Sequence, residues 1–466
     1  MPQSEHSAEK INIALSGCTG VPYGLSCGFT LERTRMEFFD HAEIWDRADI
    51  EAAQVVRLRN ALEQAGRCAF YAARLAEARV TPADIRTPDD IRRIPFTTKD
   101  DLRSQYPEGL LCVPRDEIVR MHSSSGTTGT PTAVCHTRND LNSWADLMAR
   151  CMYMVGVRRS DVFQNMSSYG LFTGGLGIHA GAERLGCMTI PAGAGNTLRQ
   201  IKLIKDFKTT VIHIIPSYAL VLANTLRESG EDPSALPPRI ALIGAEPHSE
   251  QTRRRVEEAL GVQAYNSYGL SEMNGPGVAF ECREQNGLHV WEDAYIVEII
   301  DPATGEAVAE GETGELTLTT LCRAGMPILR YRTRDLTRFL PGDCACGRAH
   351  RRIDRIQGRT DDMFIIKGVN IYPMQIEQVI MDRPEVGQNY LIVLEHDGLK
   401  EDLKVKVEIR DEYFVEDMRA LHALQQKLAR LLRNEILVTP KVELVQSNSL
   451  PGSEGKAQRV LDLRTK

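Results

Sequence analysis

The chain of 466 residues has no apolar run long enough to cross a membrane: its longest, such as residues 211–216, fall far short of the roughly 20 residues that a spanning helix needs. An excess of positive charge is also missing. The formal net charge of −7 argues against a general nucleic-acid binder, while leaving room for a local basic groove around an anionic ligand. The eleven cysteines are odd in number and follow no regular spacing, so no disulfide framework is expected. Residues at the amino terminus do not combine basic residues, an apolar core and a cleavage site, and the expected setting is a reducing cytoplasm. Internal repeats and low-complexity tracts are absent too. What remains is the composition of an ordinary globular protein, 42% hydrophobic and 26% charged, long enough for two or more packed domains.

The most informative stretch is residues 123–131: Ser123, Ser124, Ser125, Gly126, Thr127, Thr128, Gly129, Thr130 and Pro131. Its glycines remove the Cβ atoms that would hold the backbone away from an anion, so consecutive N–H groups can converge on phosphate while the hydroxyls add donors. No Lys-Ser or Lys-Thr pair follows the second glycine, and the next residues, 132–137, read as a strand. This separates the loop from the G-x-x-x-x-G-K-[ST] type, which opens a helix.

Residues 1–35 read as an extension of unknown role. Helical spacing of apolar residues runs over 51–79, followed by turn and cap chemistry at Pro82 and Pro88. Between 198 and 266 the pattern alternates: helix 198–207, strand 209–215, helix 218–228, strand 239–243, helix 250–260, strand 262–266. That alternation predicts βαβ units on a parallel sheet, with ligands at the carboxyl ends of its strands. After Gly287 strand periods dominate, predicting a smaller β-rich subdomain. From Arg359 onward a compact α/β tail is expected, with strands at 390–394 and 403–409, a long amphipathic helix over 418–434 and a final loop reaching Lys456.

The loop at 123–131, Tyr268-Gly269-Leu270-Ser271-Glu272, Tyr331-Arg332-Thr333-Arg334-Asp335, Gly358-Arg359-Thr360-Asp361-Asp362 and Gly455-Lys456 fall in the order seen in adenylate-forming acyl-CoA synthetases. More narrowly, Tyr169-Gly170-Leu171-Phe172-Thr173-Gly174-Gly175, Gly244-Ala245-Glu246-Pro247, Trp291-Glu292-Asp293 and residues 366–373 resemble the phenylacetate-CoA ligase branch, the likeness covering about 36–466. The resemblance implies an α/β fold: a large multi-subdomain adenylation (AMP-binding) domain at 36–360 and a small mobile α/β C-terminal domain at 361–466. It implies ATP, Mg²⁺ and coenzyme A, and a carboxylate activated as an acyl-adenylate before the thiol of coenzyme A displaces AMP. On this likeness the Ser/Thr/Gly loop holds the triphosphate, Glu272 is the magnesium ligand and Ser271 bonds the α-phosphate. Asp335 accepts the ribose hydroxyls, Arg359 reaches nucleotide or ribose oxygen, and Tyr268 and Gly269 lie at the adenine face. Lys456 bridges the attacking carboxylate and the α-phosphate, and Asp361 is the hinge that carries it, presenting the strand at 365–367 and Gly368 in the second step. Taken without the likeness, Glu272 reads as a solvated acid and Asp335 as a partner of Arg332 or Arg334.

Cys344 and Cys346 form a tight thiolate pair in a glycine turn, with Cys282 and His289 upstream. Three thiolates and an imidazole complete a tetrahedral structural zinc shell, and some members of the resembled branch carry the same Cys-x-Cys insertion. Simple burial of the four, or His248 or His350 as a substitute ligand, stays open. Two departures stand out: Thr130 occupies the place of the family's usual lysine, and His248 that of a frequent aromatic residue. Tyr169, Phe172, Tyr218 and residues 214–216 are candidates for an aryl-sized slot, so the expected partners are a small aromatic carboxylic acid and coenzyme A, with no nucleic acid or membrane and with a homodimer left open. Other readings are an adenylating enzyme whose acceptor is a carrier protein or another cofactor, and a nucleotide-binding homologue weakened in turnover.

Overall fold

The computed structural model describes residues 38–123, 130–171, 173–397, 400–414, 418–450 and 458–464. Residues 1–35, Ser124, Ser125, Gly126, Thr127, Thr128, Gly129, Phe172 and Lys456 therefore lie outside the described residues. The helical stretch expected over 51–79 is two helices, α1 (Arg47–Ala65) and α2 (Ala69–Ala78). The break follows from Gly66, a poor helix former, and from Cys68, whose extended backbone makes it the N-cap of α2. A short α3 (Lys99–Ser104) leads to the hairpin of β1 (Ile118–Ser123) and β2 (Ala133–Thr137), which pair antiparallel with Ser123 opposite Ala133. Thr137 ends that strand and caps α4 (Arg138–Met154): its hydroxyl accepts the Asp140 N–H at 3.1 Å, and Asp140 Oδ2 accepts the Thr137 N–H at 2.8 Å.

The expected alternation then unfolds in order: β3 (Val162–Asn165), α5 (Thr173–Leu185), β4 (Met188–Ile190), α6 (Thr197–Phe207), β5 (Val211–Ile214), α7 (Pro216–Glu228), β6 (Ile240–Gly244), α8 (Glu250–Leu260) and β7 (Gln263–Leu270). These strands pair parallel in the order β4-β3-β5-β6-β7. Strands β5 and β6 are buried along their whole length, as a parallel sheet covered on both faces requires. Beyond the stretch with βα alternation the sheet goes on through antiparallel β8 (Gly275–Glu281) and β9 (Leu288–Val290). Strands β10 (Tyr295–Ile300), β11 (Gly314–Thr320) and β12 (Tyr331–Thr337) leave it to start the β-rich subdomain. Short β13 (Phe339–Leu340) and β14 (Arg352–Ile353) return to the edge of the large sheet, and β15 (Gly358–Arg359) closes the smaller one against β12.

The C-terminal unit holds a hairpin of β16 (Phe364–Ile366) and β17 (Val369–Ile371), then α9 (Pro373–Met381), β18 (Val386–Asp397), β19 (Lys400–Ile409), α10 (Met418–Ile436), β20 (Lys441–Gln446) and β21 (Val460–Asp462). Lys367, expected in a strand, instead forms the hairpin turn with Gly368; both have positive φ, 52° and 80°. Helix α10 buries Leu428, Leu432 and Ile436, four residues apart, on the sheet ordered β20-β19-β18-β21. One apolar core joins α1, α2 and α4 to β7–β12. The other is shared between the domains, with Ile212, Leu222 and Val256 of the large sheet and its helices packed in one cluster with Ile376, Leu403 and Leu428. Arg255 of α8 adds hydrogen bonds to the carbonyls of Val386 (3.1 Å) and Gly387 (2.8 Å). Among the described residues no helix is long and apolar enough to cross a membrane.

Candidate active site

Strands β1 and β2 deliver both ends of the hydroxyl-rich loop to the carboxyl ends of the parallel strands. Ser123 is buried and its N–H bonds the Leu171 carbonyl at 3.1 Å, tying the loop to the segment that opens α5. At the far end the buried Thr132 hydroxyl donates to Glu272 Oε1 at 3.4 Å, while Thr130 is exposed.

Glu272 lies in a single 3₁₀ turn, Ser271–Met273, between β7 and β8. The turn is tight because the two strands nearly touch beneath it: a Cβ on Gly269 would stand 1.8 Å from the Gly275 carbonyl oxygen, so only glycine fits. Ser271 Oγ is 3.2 Å from the Thr173 hydroxyl at the start of α5. The Glu272 carbonyl accepts Arg323 Nη1 at 2.6 Å, and Asp140, the capping residue of α4, holds the Arg323 loop by accepting the N–H groups of Ala324 (2.7 Å) and Gly325 (3.0 Å). Glu272 is itself buried beside Tyr331, whose phenol is pushed well up by burial and by that carboxylate.

The strand register assembles a second corner. Asp335 on β12 stands opposite Arg359 on β15, and Arg359 Nη1 donates to Asp335 Oδ1 at 2.8 Å. The Tyr268 hydroxyl donates to Asp335 Oδ2 at 2.6 Å. Burial lifts the Asp335 carboxyl above its usual range, offset in part by Arg359 and Tyr268. Arg332 and Arg334 are not its partners: Arg332 pairs with Glu315, and Arg334 Nη1 bonds Asp361 Oδ2 at 3.2 Å. Asp361 also accepts Arg359 Nε at 2.8 Å, so the expected hinge residue is charge-paired from both sides. A cavity of about 450 Å³ opens there between the domains, lined by Glu246, Pro247, His248, Arg359, Asp361 and Glu377 among others. His248 is buried in its wall, held well below the usual imidazole range, to about 3, by burial and then by Arg355.

Away from this corner, Cys282, His289, Cys344 and Cys346 converge with their ligand atoms all within 4.8 Å of one another. Cys282 Sγ and Cys344 Sγ are 3.6 Å apart, close to the roughly 3.8 Å edge of a tetrahedron with zinc–sulfur bonds of about 2.3 Å. His289 Nδ1 is 3.0 Å from the His350 carbonyl, so it donates there and turns Nε2 toward Cys346 Sγ at 3.2 Å. The alternative histidines are engaged elsewhere: His350 Nδ1 accepts the Glu292 N–H at 3.1 Å, and His248 Nδ1 is 3.2 Å from the Glu246 carbonyl. The chemistry of the donor set fits zinc.

Residues 53–322 match the AMP-binding enzyme family model and residues 368–464 match the AMP-binding enzyme C-terminal domain. The phenylacetate-coenzyme A ligase of Thermus thermophilus is 45% identical over 444 residues, covering 92% of this chain and 100% of the relative. The chain belongs to the phenylacetate-coenzyme A ligases. A family member from Escherichia coli is 42% identical, covering 89% of this chain and 95% of its own. Among solved structures, 2-hydroxyisobutyryl-CoA ligase in the postadenylation state with 2-HIB-AMP superposes at a TM-score of 0.88, with 30% identity over 93% of this chain and 94% of that one. The same ligase in the thioesterification state superposes at 0.68, with 30% identity over the same shares.

Within this ligase fold, the residues expected from sequence to bind nucleotide and described by the structure gather in two adjoining corners, one around Ser123, Ser271 and Glu272 and one around Tyr268, Asp335 and Arg359. Tyr268, expected at the adenine face, donates its hydroxyl to the Asp335 carboxylate. Sequence reasoning missed Arg323, Asp140 and Thr132, which orient Glu272. Thr132 directly follows the quoted loop and Asp140 was legible as a T-x-x-D cap, but Arg323 stands in no motif. It also missed His122 and His136, buried and packed on Trp144, with ring centroids 5.8 and 5.6 Å from it. Burial keeps both imidazoles below their usual range.

Proposed function

We propose that the protein joins a small aromatic carboxylic acid of the phenylacetate type to coenzyme A at the expense of ATP. The substrate carboxylate attacks the α-phosphorus, pyrophosphate leaves, and the thiol of coenzyme A then attacks the acyl carbonyl and expels AMP. The observation that carries this reading is the 45% identity along the full length of a phenylacetate-coenzyme A ligase, together with the two polar corners at the carboxyl ends of the sheet.

In this account residues 123–129 hold the triphosphate through N–H groups and hydroxyls, and Asp335, an acceptor when ionised, takes the ribose hydroxyls in exchange for part of its bonding to Tyr268 and Arg359. Glu272 is the oxygen ligand for Mg²⁺, whose charge would offset that of the phosphates. Its carboxylate is buried beside the Thr132 hydroxyl, 3.4 Å from Oε1, and the Tyr331 phenol, and hard acceptor oxygens of this kind suit the ion. Ser271 bonds the α-phosphate, and Lys456 meets the charge that grows between the attacking carboxylate and that phosphate. Thr130 supplies no positive charge, so the backbone donors of the loop carry more of the triphosphate. Asp361 carries the small domain between the two steps. The four-residue thiolate and imidazole cluster holds a structural zinc, closed to substrate because every ligand position is filled by protein. A reducing cytoplasm remains part of the proposal.

The test is a panel of aryl acids with ATP, Mg²⁺ and coenzyme A, following pyrophosphate and identifying products by mass. The expected result is AMP and an aryl-acyl-CoA, with several ring-substituted acids accepted because an apolar slot separates them by only about 1–3 kcal/mol per methylene-sized change. Pyrophosphate release with transfer to another acceptor would replace coenzyme A in the scheme, and release with no acid in the panel would end it.

A further inference from the structure

Glu377, on α9 in the C-terminal unit, is 6% exposed and uses both carboxylate oxygens. Its Oε1 accepts the backbone N–H of Ser249 at 2.9 Å and the hydroxyl of Thr252 at 2.8 Å. Those two residues belong to the other domain, where Ser249 is the N-cap of α8. A carboxylate from one domain is thus bound at the positive end of an eleven-residue helix of the other, where its charge is favoured.

The other oxygen leads toward β21, which follows Lys456 in the sequence. Glu377 Oε2 accepts the Tyr390 hydroxyl at 2.8 Å, and the Arg459 guanidinium lies 4.7 Å from the centroid of the Tyr390 ring. Arg459 Nη1 donates to Asn389 Oδ1 at 3.2 Å, and its carbonyl accepts the Ile392 N–H at 2.8 Å, which starts the pairing of β21 on β18. In sequence Arg459 is three residues beyond Lys456. A string of bonds therefore runs from the start of α8 to the base of the segment that carries the lysine. The bonds to Ser249 and Thr252 hold only while α9 stays against α8. A buried carboxylate that loses its donors is costly, so these bonds favour the arrangement present here, which superposes on the postadenylation form of 2-hydroxyisobutyryl-CoA ligase at a TM-score of 0.88 against 0.68 for its thioesterification form.

We propose that Glu377 is a positioning residue for adenylate formation: bound at the N-terminus of α8, it fixes the domain arrangement in which Lys456 acts, without touching substrate itself. This rests on the two-step ligase reading above. The experiment measures the half-reactions separately in wild type, Glu377→Ala and Thr252→Val, as acid-dependent ATP–pyrophosphate exchange and as thioester formation from supplied acyl-adenylate and coenzyme A. Glu377→Ala is expected to lower exchange about tenfold or more while leaving the second half-reaction within about twofold. Thr252→Val, which removes one donor from the opposite domain, is expected to shift the ratio about threefold in the same direction and guards against a variant that fails to fold. Equal losses in both half-reactions would make Glu377 a brace only, and unchanged exchange would remove its role; either overturns the inference. Absence of exchange in the wild type would instead mark failure of the ligase reading and take this inference with it.

Discussion

The nucleotide corner and the thiolate cluster are both assembled from segments far apart in the sequence, yet they are finished in opposite ways. At the corner, Asp335 accepts from Arg359 at 2.8 Å and from the Tyr268 hydroxyl at 2.6 Å, and Arg359 keeps a second acceptor in Asp361 Oδ1 at 2.8 Å. In the cluster, three sulfurs and one imidazole bring their ligand atoms within 4.8 Å of one another, and His289 is steered by the His350 carbonyl. The first is a set of exchangeable bonds and the second a closed one. Substitutions should separate them, with catalytic losses at the first and stability losses at the second.

The largest effect is expected at Lys456. Lys456→Ala removes the cation proposed to meet charge on the α-phosphate, and adenylate formation should fall by roughly 10²–10³. Thioester formation from supplied acyl-adenylate should be largely kept. Equal loss of both half-reactions in rapid-quench assays would show that the lysine does not belong to the first step alone.

Asp335→Asn is expected to raise the KM for ATP about tenfold, as the ribose hydroxyls lose a charged acceptor. Burial raises the Asp335 pKa, so the ionised form proposed to bind ribose should disappear as pH falls through a value higher than that of an ordinary aspartate. Nucleotide affinity in the wild type should therefore weaken on mild acidification, and the asparagine variant should lack that phase. Titrations in which both proteins weaken in parallel would rule out Asp335 as the group responsible.

The smallest catalytic effect is expected from Cys344→Ser. Loss of one thiolate should cost zinc content by elemental analysis and lower Tm by about 5 °C or more, with kcat at 25 °C nearly unchanged. A wild-type preparation free of metal and equally stable would dismiss the zinc site.

The parallel core was readable because hydrophobic period and helix caps are local: 250–260 was foreseen as a helix, and α8 spans Glu250–Leu260. The antiparallel extension through β8 and β9 was not, since pairing partners are chosen by tertiary packing and leave no mark within one strand. The same contrast holds in the site. Glu272, Asp335 and Arg359 could be singled out because they stand in short ordered motifs, and the fold brings them to adjoining corners. Arg323 acts through a single bond to the Glu272 carbonyl and stands in an unremarkable Cys322-Arg323-Ala324 segment, so only the fold reveals it. The four members of the thiolate cluster were legible as residue types, while the choice between His289 and His350 needed the geometry that turns Nε2 of one toward the thiols and spends the other on Ala42 and Glu292.

The central claim is that the acid passes through a mixed anhydride with AMP, and isotope transfer tests it most directly. With phenylacetate carrying ¹⁸O in both carboxylate oxygens, attack on the α-phosphorus followed by displacement at the carbonyl must leave one labelled oxygen on AMP. Mass spectra of the products are predicted to show AMP heavier by one ¹⁸O and an acyl-CoA retaining the other. Unlabelled AMP alongside labelled pyrophosphate or phosphate would contradict the account.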